Sequence, residues 1–138
     1  MKEAVVILEW GPTKVDEDRG RWVLLDAERR LPGGFVLATT ELVSFRPGGW
    51  AANHRHDRTE IMLALDGDLV LVWRDHAGKR YETMMTPKDN KLLVFMVDSQ
   101  VPHLVENRSL SAGGSLIAWA NGTGTATILE GEESLRQN

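Results

Sequence analysis

The sequence predicts an all-β fold, and three observations support this prediction. Long stretches are rich in β-branched and aromatic residues. Gly, Pro, Asp and Asn interrupt these stretches at short intervals, which is typical of strands joined by turns. Helical periodicity is almost absent. About twelve short strands with regular turns indicate a sandwich or a barrel, and a jelly roll closes its sheets around a usable interior.

The individual strands follow from the same pattern of apolar stretches and turn residues, taken in chain order. The predicted strands are Ala4–Trp10, Arg21–Asp26, Phe35–Thr40, Leu42–Arg46, Trp50–His56, Glu60–Leu65, Leu69–Arg74, Tyr81–Thr86, Leu92–Val97, His103–Glu106, Ser115–Trp119 and Thr125–Leu129. Residues 130–138 have little apolar content, and we expect them to be either frayed or a short surface helix.

Two turns predict how the middle strands connect. Asp66-Gly67 separates the apolar runs that end at Leu65 and begin at Leu69, and Asp-Gly supplies the positive φ angles of a two-residue hairpin. A second turn at 75–79 would pair the Leu69 strand with the Tyr81 strand. Together the two turns predict a meander.

Length and composition limit the classes of function. The chain has 138 residues, enough to bury a core without crosslinks, and we expect one domain over residues 1–138. No apolar run approaches the ~20 residues of a membrane span. The N-terminus lacks the pattern of a secretory signal, so we expect a cytoplasmic protein without membrane partners.

Charge and cysteine content exclude further classes. The net charge of -4 and the absence of a dense Lys/Arg stripe argue against nucleic acid as a partner. The chain contains no cysteine, so neither disulfides nor thiolate zinc sites can form. Any metal would have to use nitrogen and oxygen ligands.

Three of the four histidines occur in a spaced pattern that suits a metal site. It reads Gly48-x5-His54-x-His56-x3-Glu60-x6-Gly67 and is followed by His103-x3-Asn107. Residues two apart in a strand point to the same face, so His54 and His56 can aim at one point. Glu60 follows after a gap long enough to turn or to cross to a neighbouring strand. It could supply a third ligand, and His103 a fourth.

These segments resemble the two sequence motifs of the cupin superfamily. The first motif, G-x5-H-x-H-x3 or 4-E-x6-G, is matched at every defined position, whereas the second, G-x5-P-x-G-x2-H-x3-N, is matched only by His103 and Asn107. Leu92, Asp98 and Gln100 stand where the family has Gly, Pro and Gly.

The resemblance implies a double-stranded β-helix, the jelly-roll cupin barrel, whose two motifs span residues 48–107 here. It also implies one divalent metal held by His54, His56, Glu60 and His103. Nitrogen and oxygen ligands of this kind suit Zn, Fe, Mn, Ni or Co without selecting among them.

Two shorter strings resemble cupins that act on nucleotide-linked sugars. Gly49-x3-Asn53-His54-x-His56 is similar to the G-N-H-x-H of cupins attached to sugar-nucleotide enzymes. Residues 18–23 are similar to the D-x-R-G-x-L opening of deoxysugar ketoisomerase and epimerase cupins. Both favour carbohydrate chemistry.

Three further residues are candidates for contact with a substrate. Trp50 shares strand parity with His54 and His56, so a regular strand would point it inward with them. Met62 could contribute an apolar, adaptable lining, and Tyr81 is the only tyrosine and an available proton donor. For each of the three, a role in packing is the favoured interpretation.

The residues leave three functions open. The first is a metal-dependent isomerase or epimerase acting on a small polar substrate, such as a sugar or keto acid. The second is an iron-dependent dioxygenase with the same ligands. The third is a module that binds a small ligand without converting it. No residue is assigned as the catalytic base, and the need to cover strand edges favours a homodimer.

Overall fold

The computed structural model describes residues 3–10, 14–16, 21–23, 31–86 and 92–137, which contain twelve strands and one short 3-10 turn at Gly131–Glu133. The strands, in chain order, are β1 Val5–Trp10, β2 Lys14–Asp16, β3 Arg21–Val23, β4 Thr39–Phe45, β5 Trp50–His56, β6 Glu60–Asp66, β7 Leu69–Arg74, β8 Arg80–Met84, β9 Leu92–Val97, β10 His103–Asn107, β11 Gly114–Ala120 and β12 Ala126–Ile128.

Ten of these strands form two five-stranded antiparallel sheets. The first sheet has the order β1-β9-β6-β11-β4 and the second has the order β12-β5-β10-β7-β8, while β2 and β3 pair with each other. From β4 onward the chain alternates between the sheets, except that β7 and β8 are neighbours in the second sheet. This is a jelly roll, and the predicted fold class is confirmed.

The main core lies between the two sheets. The first sheet contributes Phe45, Met62 and Phe95, and the second contributes Leu71 and Val105, all buried. A second apolar cluster covers the outer face of the first sheet, and a third lies on the outer face of the second sheet. No helix in the described part of the chain is long and apolar enough to cross a membrane.

The predicted hairpin at Asp66-Gly67 is wrong. β6 belongs to the first sheet and β7 to the second, so this turn carries the chain from one sheet to the other. Gly67 has a φ of 93°, and a Cβ there would lie 2.6 Å from the Cα of Gly114. The close approach of two backbones, rather than a hairpin, therefore requires glycine at this position. The second predicted turn does form a hairpin between β7 and β8.

The other departures are local. The predicted strand at Phe35–Thr40 begins only at Thr39 and continues through Leu42 as β4, and the strand Lys14–Asp16 was not predicted. Residues 24–26 of the predicted Arg21 strand, and residues 18–20 of the sugar-cupin string, lie outside the described residues. Of the two expectations for residues 130–138, the structure is nearer to the short surface helix, because Gly131–Glu133 form a 3-10 turn and the buried Leu135 anchors the otherwise mostly exposed residues up to 137 against the second sheet.

Candidate metal centre

The four predicted ligands come together in the space between the sheets. His54 and His56 lie on β5, and His103 lies on the neighbouring strand β10 as the cross-strand partner of His54. Glu60 is the first residue of β6 and therefore comes from the opposite sheet. One ligand atom from each residue lies within 4.8 Å of the others. Ligands on opposite sides of one ion, with bonds of about 2.1 Å, are about 4.2 Å apart, so a contraction of about 0.6 Å at most would bring the four atoms to the dimensions of a single-ion site.

A bulge in β5 points the two histidines inward. Ala52 and Asn53 have φ angles of 71° and 59°. The pairing with β10 shifts at this point: His54 is opposite His103, and Ala52, two residues earlier, is opposite the next residue of β10, Leu104. Asn53 is thus an extra residue in the ladder. Its insertion reverses the alternation of side chains, so that Ala51 packs against the core while His54, three residues later, joins the cluster between the sheets.

The same bulge places Trp50 away from the cluster, so the predicted shared face is not observed. Trp50 pairs with Glu106, whose neighbour Val105 packs in the core, and both therefore point to the outer face of the sheet. Trp50 is 45% exposed, and the guanidinium of Arg136 lies 4.1 Å from the centroid of its ring. The expectation failed because it assumed a strand without an extra residue.

Buried ring nitrogens without partners indicate what the cluster is built to hold. Nε2 of His54, both ring nitrogens of His56 and Nε2 of His103 are buried and have no hydrogen-bond partner among the described residues. An unsatisfied buried polar atom costs roughly 1–3 kcal/mol. Coordination of one ion would satisfy a nitrogen on each ring, so the residues present fit a divalent metal.

The turn before β10 orients His103. Nδ1 of its ring lies 2.9 Å from the carbonyl oxygen of Val101, which places the proton on Nδ1 and leaves the Nε2 lone pair free for a metal. Gln100, at the position of a family glycine, has a φ of 65° and donates its N–H to the carbonyl of His56 at 2.7 Å. The left-handed turn is therefore kept without glycine.

Glu60 is held by a residue that the sequence did not point to. Arg58 donates from Nη2 and Nε to Oε1 of Glu60, at 2.8 and 3.2 Å. The same guanidinium lies 3.3 Å from Glu41 on β4, and the Arg58 side chain is only 12% exposed. An arginine inside the three-residue spacer between two candidate ligands is the signal that could have identified it.

The electrostatics of the cluster favour the protonation states in which Glu60 and His54 can bind a metal. Burial raises the pKa of Glu60, but contacts with His103 and His56 outweigh this and hold the pKa well below its usual range. Burial, together with the neighbouring His103 and His56, lowers the pKa of His54 to about 4. At neutral pH the carboxylate is thus ionised and His54 is neutral, which are the states that bind metals. Oε1 of Glu60 lies 2.6 Å from Nε2 of His56, which is close enough for a hydrogen bond, but the geometry of the contact is not that of one.

Met62 and Tyr81 occupy different surroundings. Met62 is buried in the core on the same strand as Glu60, two residues further along. Tyr81 lies on β8, stacks on Trp73 with ring centroids 5.2 Å apart, and donates its hydroxyl to Asp75 at 3.1 Å. Both aromatic residues line a cavity of about 490 Å³ beside β1, and none of the four candidate ligands lines it.

Asn107 of the second motif and the fourth histidine both lie apart from the cluster. Asn107 lies at the far end of β10 and donates to the carbonyl oxygens of Arg46 and Ala112, so it ties loops together and supplies no ligand. His76 lies in the β7–β8 turn, is 43% exposed in its side chain, and is 3.5 Å from Asp98. It is the one histidine outside the cluster.

A jelly roll that encloses a His, His, Glu, His cluster between its sheets is the cupin fold, and the prediction of this fold is confirmed. Similar solved structures include QdtA, a sugar 3,4-ketoisomerase from Thermoanaerobacterium thermosaccharolyticum in complex with TDP. The identity is 11% and the TM-score 0.67, over 86% of this chain and 81% of QdtA.

Two other similar structures are a polysaccharide assembling protein and an oxidase. The capsular polysaccharide assembling protein CapF from Staphylococcus aureus is 22% identical, with a TM-score of 0.57, over 67% of this chain but 27% of CapF. Oxalate oxidase in complex with glycolate is 19% identical, with a TM-score of 0.56, over 65% of this chain and 45% of the oxidase. No family model and no functionally curated protein matches the sequence.

Proposed function

We propose that the protein binds one divalent transition metal through His54, His56, Glu60 and His103, and that it is an isomerase or epimerase of a small sugar-like or keto-acid substrate. The observation that carries the proposal is the convergence of the four ligand atoms within 4.8 Å, with a buried Nε2 on each of the three imidazoles that has no hydrogen-bond partner among the described residues. A carboxylate and three imidazoles suit Zn, Fe, Mn, Ni or Co.

The chain's own residues prepare this site for a polar substrate. Arg58 fixes the carboxylate of Glu60, and the carbonyl of Val101 fixes the ring of His103. His54 is the partly exposed member of the four, and its partner on the edge strand β12, Ile128, is 62% exposed. A substrate would therefore reach the ion from the side of His54.

The hypothesis of an isomerase rests on the chemistry that such a metal site offers. A bound divalent ion polarises a substrate carbonyl and so makes the adjacent C–H bond more acidic. The chain's part is to orient the substrate beside His54 and to keep water out on the side of the buried His56 and Glu60. Support also comes from QdtA, a sugar 3,4-ketoisomerase whose fold is similar over 86% of this chain.

An oxygen-using metal enzyme, such as an iron-dependent dioxygenase, is the second candidate. It is favoured by the structural similarity to oxalate oxidase, over 65% of this chain. The same four ligands leave coordination positions open in an octahedral ion, where oxygen and a chelating substrate could meet.

Metal content is the first test. Purified wild-type protein, His54→Ala, His103→Ala and His76→Ala would be dialysed and their bound metals quantified by mass spectrometry. We expect about one equivalent in the wild type and in His76→Ala, whose histidine lies outside the cluster, and almost none in the other two variants. Equal metal content in all four proteins would refute the proposed site.

Turnover is the second test. The metal-loaded protein would be incubated with keto sugars, nucleotide-linked keto sugars and keto acids, and the products followed by NMR together with oxygen consumption. Isomerised product without oxygen uptake supports the proposal, whereas oxygen uptake supports the second candidate. Thermal stabilisation by one of these compounds without turnover would instead show a binding module.

A further inference from the structure

The C-terminal residues are packed on the outer face of the second sheet, directly behind the metal centre. We call residues 129–136 the C-terminal strap. Leu129 and Leu135 are buried and complete an apolar cluster with Val70, Val72 and Leu104. The strap follows β12, which pairs with β5.

One side chain of β5 reaches into the strap. Asn53 is 6% exposed, and its Nδ2 donates to Oγ of Ser134 at 3.0 Å and to the carbonyl of Leu129 at 3.4 Å. Its Oδ1 accepts from the N–H of Leu135 at 2.9 Å. The backbone adds a fourth bond, from the N–H of Leu129 to the carbonyl of Asn53, also at 2.9 Å.

Asn53 is also the extra residue of the bulge that turns His54 inward. It has a left-handed conformation, as does Ala52 before it. Left-handed backbone costs an L-residue roughly 1–2 kcal/mol, less for asparagine, so a bulge with two such residues needs compensating contacts. The bonds to the strap provide them. Loss of the bulge would shift β5 by one residue and turn its side chains to the opposite face.

The strap is itself fixed at further points. Arg74 donates to the carbonyl of Glu133 at 2.7 Å, and Arg80 donates to the carbonyl of Leu135 at 2.9 Å. The guanidinium of Arg136 covers the Trp50 ring at the start of β5. The strap therefore links β5 to β7 and β8 from the outside.

We infer that Asn53 is a positioning residue for His54 and that the C-terminal strap is a structural part of the metal centre. This rests on the proposed metal site, and it adds that affinity for the ion depends on contacts made on the opposite face of the sheet. The residue acts through the backbone and does not touch the ion.

The test compares the affinity of full-length variants for Zn²⁺, measured by competition with a chromophoric chelator well below their melting temperatures. We expect Asn53→Ala to bind Zn²⁺ at least tenfold more weakly than wild type. Asn53→Gly keeps access to the left-handed conformation but loses the side-chain bonds, so its loss should be several-fold. Ser134→Ala, which removes one bond from the strap, should show a smaller loss in the same direction.

A stability control separates positioning from general destabilisation. Leu63→Ala lies in the apolar cluster on the outer face of the first sheet and should lower the melting temperature without changing Zn²⁺ affinity. Wild-type affinity in both Asn53→Gly and Ser134→Ala, or an equal loss in Leu63→Ala, would overturn the inference while leaving the metal site intact. If wild type binds no Zn²⁺, Co²⁺, Mn²⁺, Ni²⁺ or Fe²⁺, the site and the inference both fail.

Discussion

The two sheets contribute to the metal centre in different ways. The second sheet supplies three imidazoles from adjacent strands, and because His54 and His103 are cross-strand partners, the hydrogen-bond ladder fixes their separation. The first sheet supplies only the carboxylate of Glu60, which depends on the Arg58 ion pair and on the position where β6 begins. Backbone pairing therefore fixes the positions of the imidazoles, whereas a side-chain contact fixes the position of the carboxylate.

The largest expected effect comes from removing the single contribution of the first sheet. Glu60→Gln keeps the size of the side chain but removes the charge that balances a divalent ion. We expect Zn²⁺ affinity to fall by more than about a hundredfold, beyond the loss typical of residues that merely support a ligand. Chelator competition measures this, with His76→Ala as the control. Unchanged affinity would mean that the imidazoles alone form the site.

The turn at Gly67, where the chain passes from the first sheet to the second, is a second place to perturb the structure. Gly67→Ala forces an unfavourable φ and a Cβ against the backbone of Gly114, so we expect a loss of about 2–5 kcal/mol in the free energy of unfolding. Gly78 has a similar φ of 86° but open space around it. Gly78→Ala should therefore cost only about 1–2 kcal/mol. Urea denaturation measures both, and equal losses would show that crowding at Gly67 is unimportant.

The ion pair that fixes the carboxylate predicts an intermediate effect. Arg58→Gln leaves Glu60 without its charged partner, and we expect metal affinity to fall about 10–100-fold. The matched control is Arg108→Gln, which breaks a 3.0 Å ion pair with Glu82 away from the cluster. If both variants bind Zn²⁺ like wild type, Arg58 has no positioning role.

A further effect is a pH dependence of the stability of the metal-free protein. The pKa of His54 is lowered to about 4 in the folded state, whereas an unfolded histidine titrates near 6.5. Between these values the unfolded state binds more protons, so stability should fall as the pH decreases from about 6.5 to 4. Urea midpoints across this window should slope less steeply for His54→Gln, which does not titrate. Parallel slopes would contradict the assignment.

The strand pattern and the resemblance to the cupin motifs were sufficient to predict the fold, and the resemblance implied which four residues would come together. Period-two alternation correctly placed His54 and His56 on one face, because the strand is regular between them. It failed for Trp50, since no glycine marks the bulge at Ala52 and Asn53. The assignment of the four residues as metal ligands stays a prediction, and the metal content of the variants tests it.

The connection between β6 and β7 shows a second limit of sequence patterns. Asp66-Gly67 lies between two almost continuously apolar runs, which is also what two neighbouring strands of one sheet would show. Here both strands are apolar because both are covered on two faces: Ile61 and Leu63 pack outside the first sheet, and Val70 and Val72 outside the second. Local turn chemistry cannot report which sheet receives the next strand. That depends on packing between distant segments.

The left-handed turn at Gln100 has a practical consequence for protein engineering. An L-residue with a φ of 65° carries a backbone cost that glycine avoids, partly offset by the greater freedom of glycine in the unfolded chain. The first term is about 1–2 kcal/mol and the second about 0.4–1 kcal/mol, so Gln100→Gly should raise the free energy of unfolding by about 0.5–1 kcal/mol, measurable as a shifted urea midpoint. Because the bond to the carbonyl of His56 uses the backbone N–H, the substitution retains it. Such a background would tolerate ligand substitutions better and allow metal loss to be measured apart from unfolding.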